Sequence, residues 1–321
     1  MMLMVTGARG FVGRGLVPRL AAAGHGGVGV GREPPRDLPR GWTAATRAQA
    51  LAGTSPGPID AIVHLEVKQH VPRPSPADIE AFETVNVGGT RDWLEWATRH
   101  GVNTFVHLST IKAVAVGDGA TGENAPAETT SPYGSSKARA EAEVRHWASA
   151  ESSRKAVILR PAPVYGPGNE ANLAAFVRQI LSGKPCLIGA GDTQKSIVSR
   201  TNLAAAIEFA LANAAVGCTV YTVSDPDTPT LAELAATIAD LGGARPPRRI
   251  PAAVAAAVAP VGDAVEWLTG RSFPLTSARL HAIRETTVFP CDKIVAAGFR
   301  HPQTTRDGLA EMVAWARSSN A

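Results

Sequence analysis

The stretch Val5-Thr6-Gly7-Ala8-Arg9-Gly10-Phe11-Val12-Gly13 decides the fold, because it sets glycines at phosphate-binding spacing between an apolar strand and a helix near the start of the chain. Gly7 permits the tight turn out of Leu3-Met4-Val5, Gly10 lets backbone N–H groups approach a pyrophosphate, and Gly13 lets the helix pack against the strand. The helix N-terminus then faces the anion, and a dinucleotide cofactor is the first inference. A glycine pattern of this kind also marks ordinary strand-turn-helix corners, so support has to come from elsewhere in the chain.

It comes from Tyr133-Gly134-Ser135-Ser136-Lys137, which on a helix places a phenol and an ammonium one turn apart on the same face. Upstream, the apolar run Phe105-Val106-His107-Leu108 reads as a strand with Ser109 and Thr110 at its carboxyl end. Short apolar runs alternate with amphipathic stretches, the βαβ rhythm of a parallel sheet. Strands are expected over 2–6, 27–30, 61–65, 103–108, 156–160 and 220–223, with helices over 10–23, 79–100 and 131–149. After Tyr165 the chain turns Pro- and Gly-rich, with helices expected over 173–182, 230–241, 251–267 and 306–318. The expected fold is α/β: a Rossmann-type doubly wound parallel sheet with a smaller C-terminal substrate-binding domain. The first would take 1–168 plus about 195–226, the second about 169–194 plus 227–321.

These motifs resemble the extended short-chain dehydrogenase/reductase family, which contains nucleotide-sugar epimerases, dehydratases and 4-ketoreductases. The resemblance spans nearly the whole chain. It includes Val63-His64-Leu65, Asn86-Val87-Gly88-Gly89-Thr90 and Arg160-Pro161-Ala162-Pro163-Val164-Tyr165-Gly166-Pro167-Gly168. Near the C-terminus it adds Gly298-Phe299-Arg300-His301-Pro302, then Thr305-Arg306-Asp307-Gly308-Leu309 and Trp315.

The resemblance implies hydride chemistry in which Tyr133 moves the proton of a substrate hydroxyl, Lys137 tunes the phenol and holds the nicotinamide ribose, and Thr110, with Ser109 as understudy, binds the reacting oxygen. It places Gly7, Arg9, Gly10, Phe11, Val12, Gly13, Arg32, Leu65, Lys137, Pro161 and Val164 around the cofactor. For a nucleotide-sugar substrate it offers Lys68, His70, Ser109, Asn172, Lys195 and Arg271 as contacts, while Asn86 is read as a structural hydrogen bonder. Two departures stand out. Glu66 replaces a small residue after His64-Leu65, and Ser199-Arg200-Thr201-Asn202-Leu203 lacks the family's tyrosine and aspartate.

Gly31 stands where NAD-preferring members carry an acidic residue for the ribose 2′-hydroxyl, and Arg9 and Arg32 offer cations to a 2′-phosphate instead. The reading therefore favours NADP(H) over NAD(H). Ile111-Lys112 follows Thr110 where sugar dehydratases carry an acidic pair, which argues against dehydration. Between the two remaining reactions, an NADP(H) preference tilts toward 4-keto reduction over 4-epimerisation. Reduction of a non-sugar carbonyl, and NADP(H) sensing without turnover, are the further alternatives.

Composition agrees without having suggested this. A chain of 321 residues with 45% apolar content buries a large core. Cys186, Cys218 and Cys291 show neither metal-ligand spacing nor a disulfide framework, so no metal is expected and a reduced cytoplasmic setting fits. No apolar run is expected to reach the ~18 residues of a membrane helix, and the first strand, beginning almost at Met1, leaves no charged stretch followed by a long apolar one, so neither secretion nor membrane insertion is expected. A net charge of +4 without a basic aromatic stripe points away from nucleic acid. Arg245-Pro246-Pro247-Arg248-Arg249 reads as an ordered connection, and the alanine-rich 252–259 as a closely packed helix. A homodimer through the Tyr-Lys helix is expected from the resemblance.

Overall fold

The computed structural model describes the chain except residues 54–56, 72, 118, 128–130, 185–186, 271–272, 274 and 320–321. Arg271 and Cys186 therefore lie outside the described residues. The first half alternates strands and helices: β1 (Met2–Thr6), α1 (Phe11–Ala22), β2 (Gly26–Gly31), β3 (Trp42–Thr46), α2 (Arg47–Leu51), β4 (Ala61–His64), α3 (Pro76–Ala81), α4 (Gly89–Arg99), β5 (Thr104–Leu108), α5 (Pro132–Ser149) and β6 (Lys155–Pro161). The second half holds β7 (Val164–Tyr165), α6 (Asn172–Leu181), β8 (Leu187–Ile188), β9 (Val198–Ser199), α7 (Arg200–Ala212), β10 (Gly217–Val223), α8 (Leu231–Leu241), β11 (Arg249–Ile250), α9 (Ala252–Thr269), α10 (Ser277–Arg284), α11 (Asp292–Ala296) and α12 (Thr305–Ser318).

Seven strands form one sheet in the order β10-β6-β5-β4-β1-β2-β3, every pair parallel. Residue alternation along the strands builds two cores. Leu3, Val5, Val63, Val106 and Leu159 pack with Leu16, Leu20 and Ile207 on one face. Met4, Ile62, Phe105 and Ile158 pack with Trp93, Trp96, Val144 and Trp147 on the other. Strands buried on both faces read as continuous apolar runs, and helices on both faces make the sheet doubly wound. A third core joins α6, α8 and α12 through Val177, Ile180, Ile238, Leu309 and Met312.

The expected strands are present, and three differences have physical causes. β3 was not anticipated, since Trp42-Thr43-Ala44-Ala45-Thr46 is an edge strand exposed along part of its length and its apolar pattern is weak. The single helix expected over 79–100 is divided, because Phe82–Gly88 widens into a π-turn between α3 and α4. The alanine-rich segment is a helix that packs closely along one side only. Only Ala255, Ala259 and Gly262 of its small residues face the protein, and Ala256 and Ala257 are exposed. At 18 residues and a mean hydropathy of 1.3, α9 is also long and apolar enough to cross a membrane by length and composition. The expectation that no run reaches that length is corrected by this helix, whose charged residues are Asp263 and Glu266.

Helix α5 is pinned to β6 by a buried ion pair: the Arg160 guanidinium donates to Glu141 through Nε at 2.9 Å and Nη2 at 2.6 Å. Removing one member of such a pair strands the other without compensation. Glu141→Gln is expected to lower stability by about 3 kcal/mol, seen as a lower urea midpoint with an unchanged slope; a midpoint matching the wild type would contradict the role given to the pair.

Candidate active site

Between β1 and β4 the chain runs off in opposite directions, and the first glycine turn lies at that switch point. Gly7 has φ +68°, and a Cβ there would sit 2.8 Å from the Leu65 carbonyl carbon. At Gly13 a Cβ would meet the Ala8 Cα at 2.6 Å, so the helix can approach its strand only as glycine. Gly10 caps α1 without a side-chain hydrogen bond, and no acidic side chain occupies the first helical turn. Bare N–H groups at a helix N-terminus, over a turn that side chains would fill, fit a dinucleotide pyrophosphate. Phe11 underlies the Arg200 guanidinium at 4.9 Å, and Arg200 donates to the Pro167 carbonyl at 3.3 Å. Val12 packs against the core, Pro161 ends β6, and Val164 in β7 pairs with Val198.

The wall of this crevice is a chain of buried hydrogen bonds. The amides of Leu65 and Glu66 donate to Thr6 Oγ1, whose hydroxyl donates to His64 Nδ1 at 2.8 Å. His64 Nε2 donates to Thr90 Oγ1 at 3.1 Å, and Thr90 donates to the Asn86 carbonyl at 2.7 Å. Burial keeps the His64 imidazole neutral, and because the Thr90 hydroxyl hydrogen goes to Asn86 the ring proton lies on Nε2. Asn86 fulfils its structural reading: Oδ1 accepts the Lys68 amide at 2.8 Å, and Nδ2 donates to Ser136 Oγ at 2.9 Å, tying the 66–70 loop to α5. Glu66 turns away from the crevice to Trp93 Nε1 and Arg47, so its size does not intrude on a cofactor.

Tyr133, in the first turn of α5, is partly buried, with its ring edge-on to His70 at 5.7 Å and to Phe82 at 5.8 Å. Burial pushes the phenol up to about 12, and a hydrogen bond from the Thr110 side chain opposes that rise. The Lys137 ammonium, 1% exposed, donates to the Leu108 carbonyl at 2.8 Å and to His107 Nε2 at 3.2 Å. Desolvation brings it down to about 8. His107 stacks on His64 at 5.4 Å, and its Nδ1 has no hydrogen-bond partner among the described residues.

Neighbours on β5 separate cleanly. Thr110 caps the short turn Ile111–Ala113 and meets the phenol, whereas Ser109 points to the opposite side and donates to Glu141 at 2.6 Å. Ser109 is therefore no understudy and no substrate contact, because successive side chains of an extended chain face opposite ways. Two candidate cations are also committed elsewhere. Lys68 pairs with Asp78 at 2.8 Å, and Lys195 donates to the Ala282 and Glu285 carbonyls at the end of α10. His70 lies against the Tyr133 ring. Asn172 is exposed at the start of α6.

Sequence reasoning passed over several groups. Lys112 faces His70 closely enough to depress its basicity, after desolvation of the imidazole itself. Glu33 pairs with Arg9, a partnership visible only as two opposite charges far apart in sequence. Asp225 supplies the anchor that Thr201 lacks: it accepts the Ser199 amide at 2.9 Å, Asn202 Nδ2 at 2.7 Å and the Tyr165 hydroxyl at 2.7 Å.

A crevice at a topological switch point, with a bare glycine turn on one side and a phenol, a hydroxyl and a buried ammonium on the other, defines a dinucleotide-dependent enzyme of the Rossmann class. The model of the NAD dependent epimerase/dehydratase family matches residues 3–223, and the chain belongs to that family. It is 30% identical over 263 residues to the N-acetyl-alpha-D-glucosaminyl-diphospho-ditrans,octacis-undecaprenol 4-epimerase of Escherichia coli O157:H7, covering 81% of this chain and 77% of that protein. With the UDP-glucose 4-epimerase of Vibrio cholerae it shares 31% identity over 186 residues, 56% of each chain. Its fold matches DesIV, a dTDP-glucose 4,6-dehydratase from Streptomyces venezuelae solved with NAD and TYD bound, at a TM-score of 0.74 and 26% identity, covering 100% of this chain and 98% of that one.

His64 and His107 are both held far below the ordinary histidine value of 6.5, chiefly by burial and then by the Lys137 charge. The unfolded chain takes up these protons first, so stability is expected to fall as pH drops below about 6.5, at about 1.4 kcal/mol per pH unit for each histidine. Urea titrations across this range should show His107→Gln flattening the slope by one proton; an unchanged slope would contradict a neutral buried His107.

Proposed function

We propose that the chain is a 4-epimerase of diphosphate-linked hexoses, and the observation that carries this is the Tyr133 phenol hydrogen-bonded by Thr110, one helical turn before the buried Lys137 that is tied to the end of β5. The bound nicotinamide would supply hydride acceptance and return at the sugar C4. Tyr133 then takes the proton of the C4 hydroxyl and gives it back, Thr110 holds the same oxygen, and Lys137 holds the cofactor ribose. A phenol at about 12 needs a positive charge close by before it serves as a base, and Lys137, easily desolvated and poised near 8, carries one below that pH. His70 and Lys112 line the substrate side. Dehydration is disfavoured by Ile111-Lys112 at the place of the acidic pair. Both 4-epimerase relatives support the reading, which holds for residues 1–168 with 195–226 as the cofactor part and the remainder as the substrate part of a cytoplasmic homodimer.

One observation favours the second reading, 4-keto reduction with NADP(H). A Cβ on Gly31 would lie 2.6 Å from the Glu33 carbonyl oxygen, so this backbone leaves no room for a ribose-binding carboxylate at that position, and the Arg9 side chain lies in ordinary contact beside it at 3.4 Å. Arg9 and the exposed Arg32 then face a 2′-phosphate, with Glu33 competing for Arg9.

Incubated with a panel of nucleoside-diphosphate hexoses and no added reduced cofactor, the protein is expected to form the C4 epimer. Tyr133→Phe should lose about 10³-fold in turnover while binding cofactor as the wild type does. Turnover surviving in that variant would overturn the assignment, and stoichiometric consumption of NADPH would select reduction instead.

Arg9→Ala is expected to lower the preference for NADPH over NADH about tenfold, and Glu33→Gln to raise it severalfold. Dissociation constants for the two cofactors decide the matter, and tighter NADH binding by the wild type would remove the NADP(H) reading.

A further inference from the structure

Helix α9 presents an apolar face that the protein leaves uncovered. Val254, Val258, Val261 and Leu268 recur at helical spacing with relative exposures of 50%, 38%, 58% and 72%, and Trp267 is 83% exposed. From Pro251 to Leu268 every exposed residue is apolar. The two carboxylates of the helix are turned inward: Asp263 accepts the Ser277 amide, and the buried Glu266 accepts the Phe273 amide and pairs with Arg73. On the same side as these, Ala255 and Ala259 pack on Leu280 of α10, and a Cβ on Gly262 would collide with the Leu275 carbonyl at 2.0 Å. The helix is thus fastened along one side to the body of the protein, an arrangement that lies on a membrane rather than crossing it.

Charge says what covers the open side. Arg245, Arg248 and Arg249 are exposed immediately before α9, and among the described residues none of them pairs with a carboxylate. Strand β11 (Arg249–Ile250) pairs with β8, and Ile250 packs into the cluster beneath α9, which holds this basic segment against the helix. A continuous apolar stripe ending in an exposed tryptophan, without an outward acidic residue and with unpaired arginines at one end, has the chemistry of an interfacial helix on anionic lipid.

We propose that α9 and the arginines preceding it seat the protein on an anionic membrane surface, with Val254, Val258, Val261, Trp267 and Leu268 entering the headgroup region. Glu266 holds Arg73, three residues beyond His70, whose ring meets Tyr133. If the proposed reaction is correct, a seated protein meets diphosphate sugars carried by membrane lipids, but the docking itself does not depend on that reaction.

Vesicle co-sedimentation tests the docking without substrate. The full chain is expected to sediment with mixed phosphatidylcholine and phosphatidylglycerol vesicles, weakly with phosphatidylcholine alone, and less at high salt. Trp267→Glu with Leu268→Glu should cut partitioning by about tenfold or more, and Arg248→Gln and Arg249→Gln by about fivefold each. All four positions are exposed, so cofactor affinity and urea midpoint should match the wild type. Failure to bind anionic vesicles would overturn the proposal. So would light scattering that shows a dimer broken by Val261→Glu without any vesicle binding, since the face would then join two copies.

Discussion

The structure depends on one close approach: the turn after β1 passes so near the Leu65 backbone that no Cβ fits on Gly7. This contact fixes the switch point of the sheet. It brings the bare N-terminus of α1 over the carboxyl ends of β1 and β4, where the order of strands reverses, and leaves a crevice between them. The wall of that crevice is then locked by Thr6, His64 and Thr90, each of which both accepts and donates a hydrogen bond along one chain that ends on the Asn86 carbonyl. A ligand entering there meets a surface whose polar groups are already oriented, so little reorganisation opposes binding or reaction.

Beneath the crevice, charge is handled by desolvation more than by pairing. His64 and His107 stay neutral because they are buried, with the Lys137 charge adding to the effect, and Lys137 is brought to about 8 by its own burial against the opposing pull of the Glu141 charge. The one strong ion pair of this region, Glu141 with Arg160, takes up Ser109 and holds α5 to β6. A neutral, desolvated side around His64, His107 and Lys137 is thus kept apart from a charged side that braces the helix carrying Tyr133.

A large part of this was legible in the chain. The glycine spacing, the apolar strands and the Tyr133 to Lys137 interval each reflect local rules of turn geometry and helix period, so the sheet strands and the Thr110, Tyr133 and Lys137 group followed from short stretches. Less legible were β3, whose edge position demands little apolar character, and the π-turn at 82–88, which tertiary contacts from Asn86 stabilise. The candidate substrate cations Lys68 and Lys195 looked free in sequence, but Asp78 and the end of α10 occupy them.

The sequence by itself determined the class of fold and the cofactor turn, since a missing Cβ and a strand or helix period are properties of neighbouring residues. Only the tertiary structure decided which polar side chains face the crevice and which are spent elsewhere, and that the alanine-rich helix is bare on one side. Those outcomes rest on contacts between residues far apart in the chain, such as Arg9 with Glu33, Ser109 with Glu141 and Arg73 with Glu266, and no local pattern encodes them.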